Sequence, residues 1–154
     1  MGGECRRAKP RTSYGDVLFV TLHVIDSNNN LGRTPSMDAE YAERMRAVFA
    51  WIDDSEKVFR EKKLDGLVLL MQADPFVTPR SGPNGFTTTL EKLRGIAARY
   101  PGRVVLVNGD THTFRDDQPL PGLRRIEVPG SPFVGWLDAA IAGAELRVSA
   151  PRYR

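Results

Sequence analysis

The sequence predicts an α/β domain, in the order β-α-β-α-β followed by a short β meander, and three observations carry that prediction. Three β-branched, apolar runs, over residues 17–25, 67–71 and 103–107, alternate with two segments whose apolar residues recur at helical spacing. The runs are apolar on both strand phases, which suits a sheet covered on both faces. Each also ends in polar residues and turn formers, where open α/β sheets place their ligands.

Taken in order, residues 1–14 are rich in Gly, Arg and Pro and read as a flexible lead-in, with a single domain over 15–150. The first run, Val17-Leu18-Phe19-Val20-Thr21-Leu22-His23-Val24-Ile25, leads to Asp26-Ser27-Asn28-Asn29-Asn30, a loop with strong side-chain-to-backbone hydrogen-bonding capacity. After Thr34-Pro35, Ser36 is placed to cap a helix whose first turn holds Asp38 and Glu40, both favourable at the positive end of the helix dipole. Tyr41, Met45, Val48, Ile52 and Phe59 then mark one apolar stripe through residue 62. The second run follows Gly66 and stops at Gln72-Ala73-Asp74-Pro75, because proline cannot donate to a ladder.

Residues 77–85 form a Pro- and Gly-rich stretch too long for a plain connector, and read as a site loop. Phe86, Leu90, Leu93, Ala97 and Tyr100 define a second helix, closed by Pro101-Gly102. Beyond the third run come Gly109-Asp110-Thr111-His112 and shorter strands over 124–128, 136–141 and 145–148. Right-handed crossovers put the first three strands in one parallel sheet and leave the last three as a meander that forms or joins a second.

Composition narrows the function classes. Charged residues at 27% and hydrophobic residues at 41% exclude intrinsic disorder. The net charge of +3 is modest, and its excess sits near the ends, in Arg6, Arg7, Lys9, Arg11, Arg152 and Arg154, so no nucleic-acid partner is expected. The single Cys5 allows neither an intrachain disulfide nor a Cys-x-x-Cys metal site, and nothing around it builds a nucleophile. Neither a signal-peptide core nor a membrane-length apolar run is found, so the chain as it stands reads as cytoplasmic with no membrane partner; a different natural amino terminus would reopen that point.

Chemistry concentrates at the three strand ends. The first supplies His23, Asn29 and Asn30, the second Gln72 and Asp74, the third Asn108, Asp110 and His112. Asp110 is a metal ligand, the orienter of one, or the head of an Asx-turn, while His112 is a ligand, a proton donor to a leaving group, or a turn cap. His23 reads equally as a satisfied core histidine. An asparagine can meet a metal through its carbonyl or a phosphate through its amide. With two histidines in the chain, these donors fall short of the about four to six that a divalent ion takes.

The segments 17–30, Phe49-Ala50-Trp51-Ile52, 67–76 and Val104 to Phe114 together resemble the carboxyl-terminal half of calcineurin-like metallophosphoesterases, over about residues 16–138. In that superfamily a helix carrying a Trp-Leu pair leads to a strand ending in His-x-Pro, and a later strand ends in Gly-His-x-His. Gln72-Ala73-Asp74-Pro75 and Gly109-Asp110-Thr111-His112 occupy those two places here, with Gln72 and Asp110 standing where the family has histidines. The family's earlier blocks, Asp-x-His, Gly-Asp-x-x-Asp and Gly-Asn-His, have no counterpart upstream of Gly15.

The resemblance implies a partial αββα sandwich and a divalent metal, Mn, Fe, Zn or Mg. It puts Asp110 and His112 at the metal and in catalysis, Gln72 as a further ligand, and His23, Asn29, Asn30 and Asn108 in substrate binding or support. The implied reaction is hydrolysis of a phosphate ester by a metal-activated water. Because the bridging aspartate and the phosphate-contacting asparagine belong to the missing blocks, the resemblance implies a chain that is weak or inactive alone, with no metal necessarily held. Its partner would then be an amino-terminal half or a second copy. The alternative is a non-catalytic α/β module whose polar loops bind a ligand or protein.

Overall fold

In a computed structural model of the chain, the described residues are 11–77, 79, 81–132, 135–143, 145–149, 152 and 153. They form β1 (Arg11–Tyr14), β2 (Val17–Thr21), α1 (Pro35–Glu61), β3 (Gly66–Leu70), α2 (Thr87–Arg99), β4 (Val104–Asn108), β5 (Arg115–Leu120), β6 (Leu123–Glu127), β7 (Gly135–Trp136), β8 (Ala139–Ala142), β9 (Glu145–Val148) and β10 (Arg152–Tyr153). Six of the strands make one sheet in the order β1-β2-β3-β4-β6-β5. Strands β2, β3, β4 and β6 run parallel, with β1 and β5 antiparallel at the two edges.

The expected β-α-β-α-β unit is present as β2-α1-β3-α2-β4. Its strands pair in the in-line register Val20↔Leu69 and Leu69↔Leu106. Because strand order follows chain order here, two right-handed crossovers carry both helices to the same face. There Met45, Val48, Ile52 and Phe59 of α1 and Leu93, Ile96 and Ala97 of α2 close over Leu18, Val20, Leu67, Leu69, Val104 and Leu106. Fully burying such a side chain contributes about 1.5–3 kcal/mol, so this layer carries most of the stability.

Several expectations are corrected. Thr34, not Ser36, caps α1: its extended backbone lets the side chain accept from the Met37 N–H at 3.2 Å, and Pro35 takes the first helical position, where its missing N–H costs nothing. The lead-in ends earlier than residue 14, because Arg11–Tyr14 pairs with β2. Arg11 also stacks on Trp51 at 4.5 Å and reaches Asp54, tying β1 to α1; residues 1–10, with Cys5, lie outside the described residues.

The first strand stops at Thr21 rather than Ile25, and Trp51 Nε1 donates to the Thr21 carbonyl at 3.2 Å. The run 124–128 does not open a separate meander. As β6 it joins the main sheet in parallel beside β4, and β5 flanks it. β5 escapes a hydrophobic-pattern search because it is an edge strand of charged residues with Pro119 and a register shift after Asp117, the composition that keeps edges from pairing with other chains.

The second sheet face is covered differently. Val17, Val68 and Ile126 are buried there under Leu146, while Phe19, Leu70, Val105 and Val107 are only partly buried against Phe114, Leu137, Ile141 and Val148. The cover comes from the β8–β9 hairpin, a two-stranded sheet of its own, and β7 pairs with β10 in another. Among the described residues no helix is long and apolar enough to cross a membrane.

Candidate functional site

The carboxyl ends of β2, β3 and β4 are stitched together by backbone bonds that their parallel register makes possible. Leu22 N donates to Leu70 O, Met71 N to Val107 O, Ala73 N to Val24 O and Gly109 N to Gln72 O. The loops that follow therefore leave the sheet side by side, as expected at this edge.

After β2, the backbone takes an unusual course. Ser27, Asn28, Asn29 and Asn30 all have positive φ, between 53° and 72°, a left-handed turn that asparagine tolerates better than most residues. Asn29 is fully buried. Its Oδ1 accepts from Arg44 Nη1 at 2.6 Å, its carbonyl from Arg44 Nη2 at 2.9 Å, and its Nδ2 donates to Gly85 O. Asn30 donates to Glu40, and Glu40 pairs with Arg44 one helical turn on. The Arg44 bond holds the Glu40 carboxyl below its ordinary 4.5, against a smaller desolvation effect, with Asn30 and His23 adding to the lowering. The His23 carbonyl also accepts from Arg44, at 3.1 Å.

This loop and the Pro/Gly-rich loop close on each other through glycine. A Cβ on Gly85 would lie 2.1 Å from the Asn28 carbonyl, so only glycine lets the two backbones approach. Asn28 completes the junction, donating to Leu31 O and Pro83 O and accepting from Gly85 N.

Between the loops lies a cavity of about 240 Å³. Asp26, Ser27 and Asn28 form one wall, Val77, Pro79 and Phe86 another, and Asp110 faces them from the β4 end. Gln72 joins the same corner, its side-chain oxygen accepting from Asp26 N at 2.8 Å. Asp110 Oδ2 accepts from Asp74 N at 3.2 Å. Three strand ends do meet here, with Asp110 and Gln72 at the meeting point.

His112 takes a different direction. It is exposed, with φ of 62°, and its side chain packs on Gly130, where a Cβ would stand 2.8 Å from the ring Cδ2. Its Nδ1 is 3.0 Å from the Ser131 carbonyl. A carbonyl oxygen only accepts, so Nδ1 carries a proton, and in the neutral ring Nε2 holds the lone pair. Asn108 is buried, donates Nδ2 to Gly109 O, and has its Oδ1 without a hydrogen-bond partner.

Beneath these loops is a network of buried charges that sequence reasoning missed in part. Glu127, fully buried at the end of β6, accepts from Thr111 and Arg115. Arg125 grips Asp117 with two bonds at 2.8 and 2.6 Å, approaches Asp74 at 3.3 Å and stacks on Phe76. Burial pushes the Asp74 carboxyl above its ordinary 3.8; the Phe76 N–H and the two arginines oppose this, and Glu127 reinforces it. A legible signal did exist: Arg44 lies on the apolar stripe between Tyr41 and Val48, and Glu127 sits between Ile126 and Val128.

Among the described residues no three His, Cys, Asp or Glu side chains converge to hold a metal ion. Of the expected ligands, Asp110 lines the cavity, the Gln72 side-chain oxygen is taken up by Asp26 N, and His112 lies against Ser131. No family model, curated protein or solved structure matches the chain.

Proposed function

We propose that the chain is the carboxyl-terminal portion of a divergent calcineurin-like metallophosphoesterase, a hydrolase of phosphate esters that is weak or inactive without further metal donors. The observation that carries this reading is His112. Its Nδ1–H is committed to a backbone carbonyl, which leaves Nε2 of the neutral ring available, on a residue two positions along the chain from Asp110. Donation of one ring N–H to a carbonyl is how proteins orient an imidazole whose other nitrogen binds a metal or takes a proton.

The asymmetry of the sheet supports the same reading. One face is closed by two helices, whereas Phe19, Leu70, Val105 and Val107 on the other are only partly buried under a short hairpin. That face suits the inside of an αββα sandwich whose second sheet comes from an amino-terminal half or a second copy. In such an assembly Asp110 from the cavity side and His112 from the Gly130 side would be donors to a divalent ion (Mn, Fe, Zn or Mg) that polarises the ester, with Gln72 beside Asp110 and Asn108 offering its unpartnered Oδ1. The asparagine turn would form the wall, with Asn29, Asn30 and His23 supporting it.

Calorimetric titration with Mn²⁺ and hydrolysis of an aryl phosphate test the proposal. Weak Mn²⁺ binding is expected in the wild type, lost in Asp110→Asn and His112→Ala, with hydrolysis slow or absent. Binding that survives both substitutions sinks the proposal.

A further inference from the structure

Asp110 and His112 both hold positive φ, 92° and 62°, on either side of Thr111. Neither is glycine, and such conformations persist only where the surroundings over-determine them. The residue between them is what the surroundings grip. Thr111 N–H donates to Glu127 Oε1 at 3.0 Å, and its hydroxyl donates to the same oxygen. Arg115 closes the triangle, donating to Glu127 Oε2 and, at 2.8 Å, to Thr111 Oγ1.

We infer that Glu127 is the positioning residue of this site: its carboxylate, locked by Arg115, pins Thr111 so that the flanking turns send Asp110 into the cavity and His112 onto Gly130 and Ser131. The inference rests on the reading above, in which those two side chains do the work. Glu127 spends these bonds on a loop sixteen residues away rather than on its own strand. For stability alone an apolar residue would serve at this fully buried position, since a buried ion pair rarely outperforms well-packed hydrocarbon; what the pair adds is direction.

The test uses the full chain without metal. In the wild type, the Thr111 amide exchanges as slowly as those of central strand β4, and the His112 ring nitrogens report the Nδ1–H form. In Glu127→Gln, Thr111 exchange accelerates by about tenfold, the effect of weakening one buried hydrogen bond. The His112 ring then shifts toward the Nε2–H form that free imidazole prefers, while β4 protection is kept. Thr111→Ser retains both bonds and the His112 signature, and Thr111→Val moves that signature part-way.

An unprotected Thr111 amide in the wild type overturns the inference, as does an unchanged His112 signature in folded Glu127→Gln. Should Glu127→Gln not fold, the wild-type exchange and Thr111→Val decide. Failure of the two proposals is distinguishable. Thr111 and His112 signals that behave as described, in a wild type with no Mn²⁺ affinity, support the positioning role and remove the phosphoesterase reading; Mn²⁺ affinity unchanged in Glu127→Gln, with an unmoved His112 signature, overturns the positioning role alone.

Discussion

Two loops at the same sheet edge are held in left-handed backbone by a buried charged side chain, yet they spend it in opposite ways. In the asparagine turn, Asn28, Asn29 and Asn30 all bind the protein itself, around Arg44 and Gly85. In the loop after β4 only the middle residue, Thr111, turns inward to Glu127, while Asp110 lines a cavity and His112 is exposed. A strained turn whose three asparagines all bond around one buried arginine and a glycine builds a wall. One that reaches its buried charge through the middle residue alone leaves the neighbours at the rim, Asp110 on the Asp74 N–H beside the cavity and His112 on the Ser131 carbonyl.

The largest effect should separate the two anchors. Arg44→Met takes a donor from Asn29 Oδ1, which keeps only the long bond from Ile25 N, and from the Asn29 and His23 carbonyls, and is expected to cost about 3 kcal/mol. Arg115→Met takes one partner from the buried Glu127 carboxylate, which keeps its Thr111 bonds and the nearby Arg125, and is expected to cost less, about 2 kcal/mol. Urea unfolding measures both, and a larger loss for Arg115 would break the contrast between wall and presenting loop.

Glycine substitutions sharpen it. Gly85→Ala drives a Cβ into the Asn28 backbone and should cost about 2–3 kcal/mol, read by thermal unfolding. Gly130→Ala meets only the His112 ring, which is exposed and can swing away, so about 1 kcal/mol or less is expected. Its signature is instead a lost Nδ1–H form of His112 and lost Mn²⁺ binding.

The smallest effect is in the pH dependence, where the two regions should slope oppositely. Glu40, lowered by Arg44, contributes stability that is fully present above its ordinary 4.5 and lost as pH falls through its folded value. Asp74, raised by burial, favours the folded state when protonated; that contribution is present below its ordinary 3.8 and lost as pH rises through its folded value. Between about pH 3 and pH 7, Glu40→Gln should therefore lose ground to the wild type and Asp74→Asn should gain, each by about 1 kcal/mol or less. Parallel slopes in urea unfolding would remove this distinction.

Part of the cluster at this sheet edge was legible because strand ends announce themselves: polar residues after apolar runs pointed to Gln72, Asp74 and Asp110, which meet there, and to His112, which lies against Ser131 instead. What the pattern could not show was which side chains face inward. Asn29 and Asn30 read as chemistry-bearing and turn out to be bonded to Arg44, Gly85 and Glu40, since a left-handed turn reverses the side-chain directions that an ordinary loop would give. Glu127 carried no signal of a partner because Thr111 and Arg115 meet it only once β6 lies beside β4.

By itself the sequence determined the α/β class, both helices and the cores of β2, β3, β4, β6 and β9, because hydrophobic period and turn residues act over a few neighbours. Tertiary structure alone decided that both helices share one face, that β6 enters the sheet in parallel with β5 at its edge, and that His112 turns to Ser131. Those outcomes depend on contacts between residues far apart in the chain, where strand order and the packing of one loop on another select among directions that local pattern leaves equal.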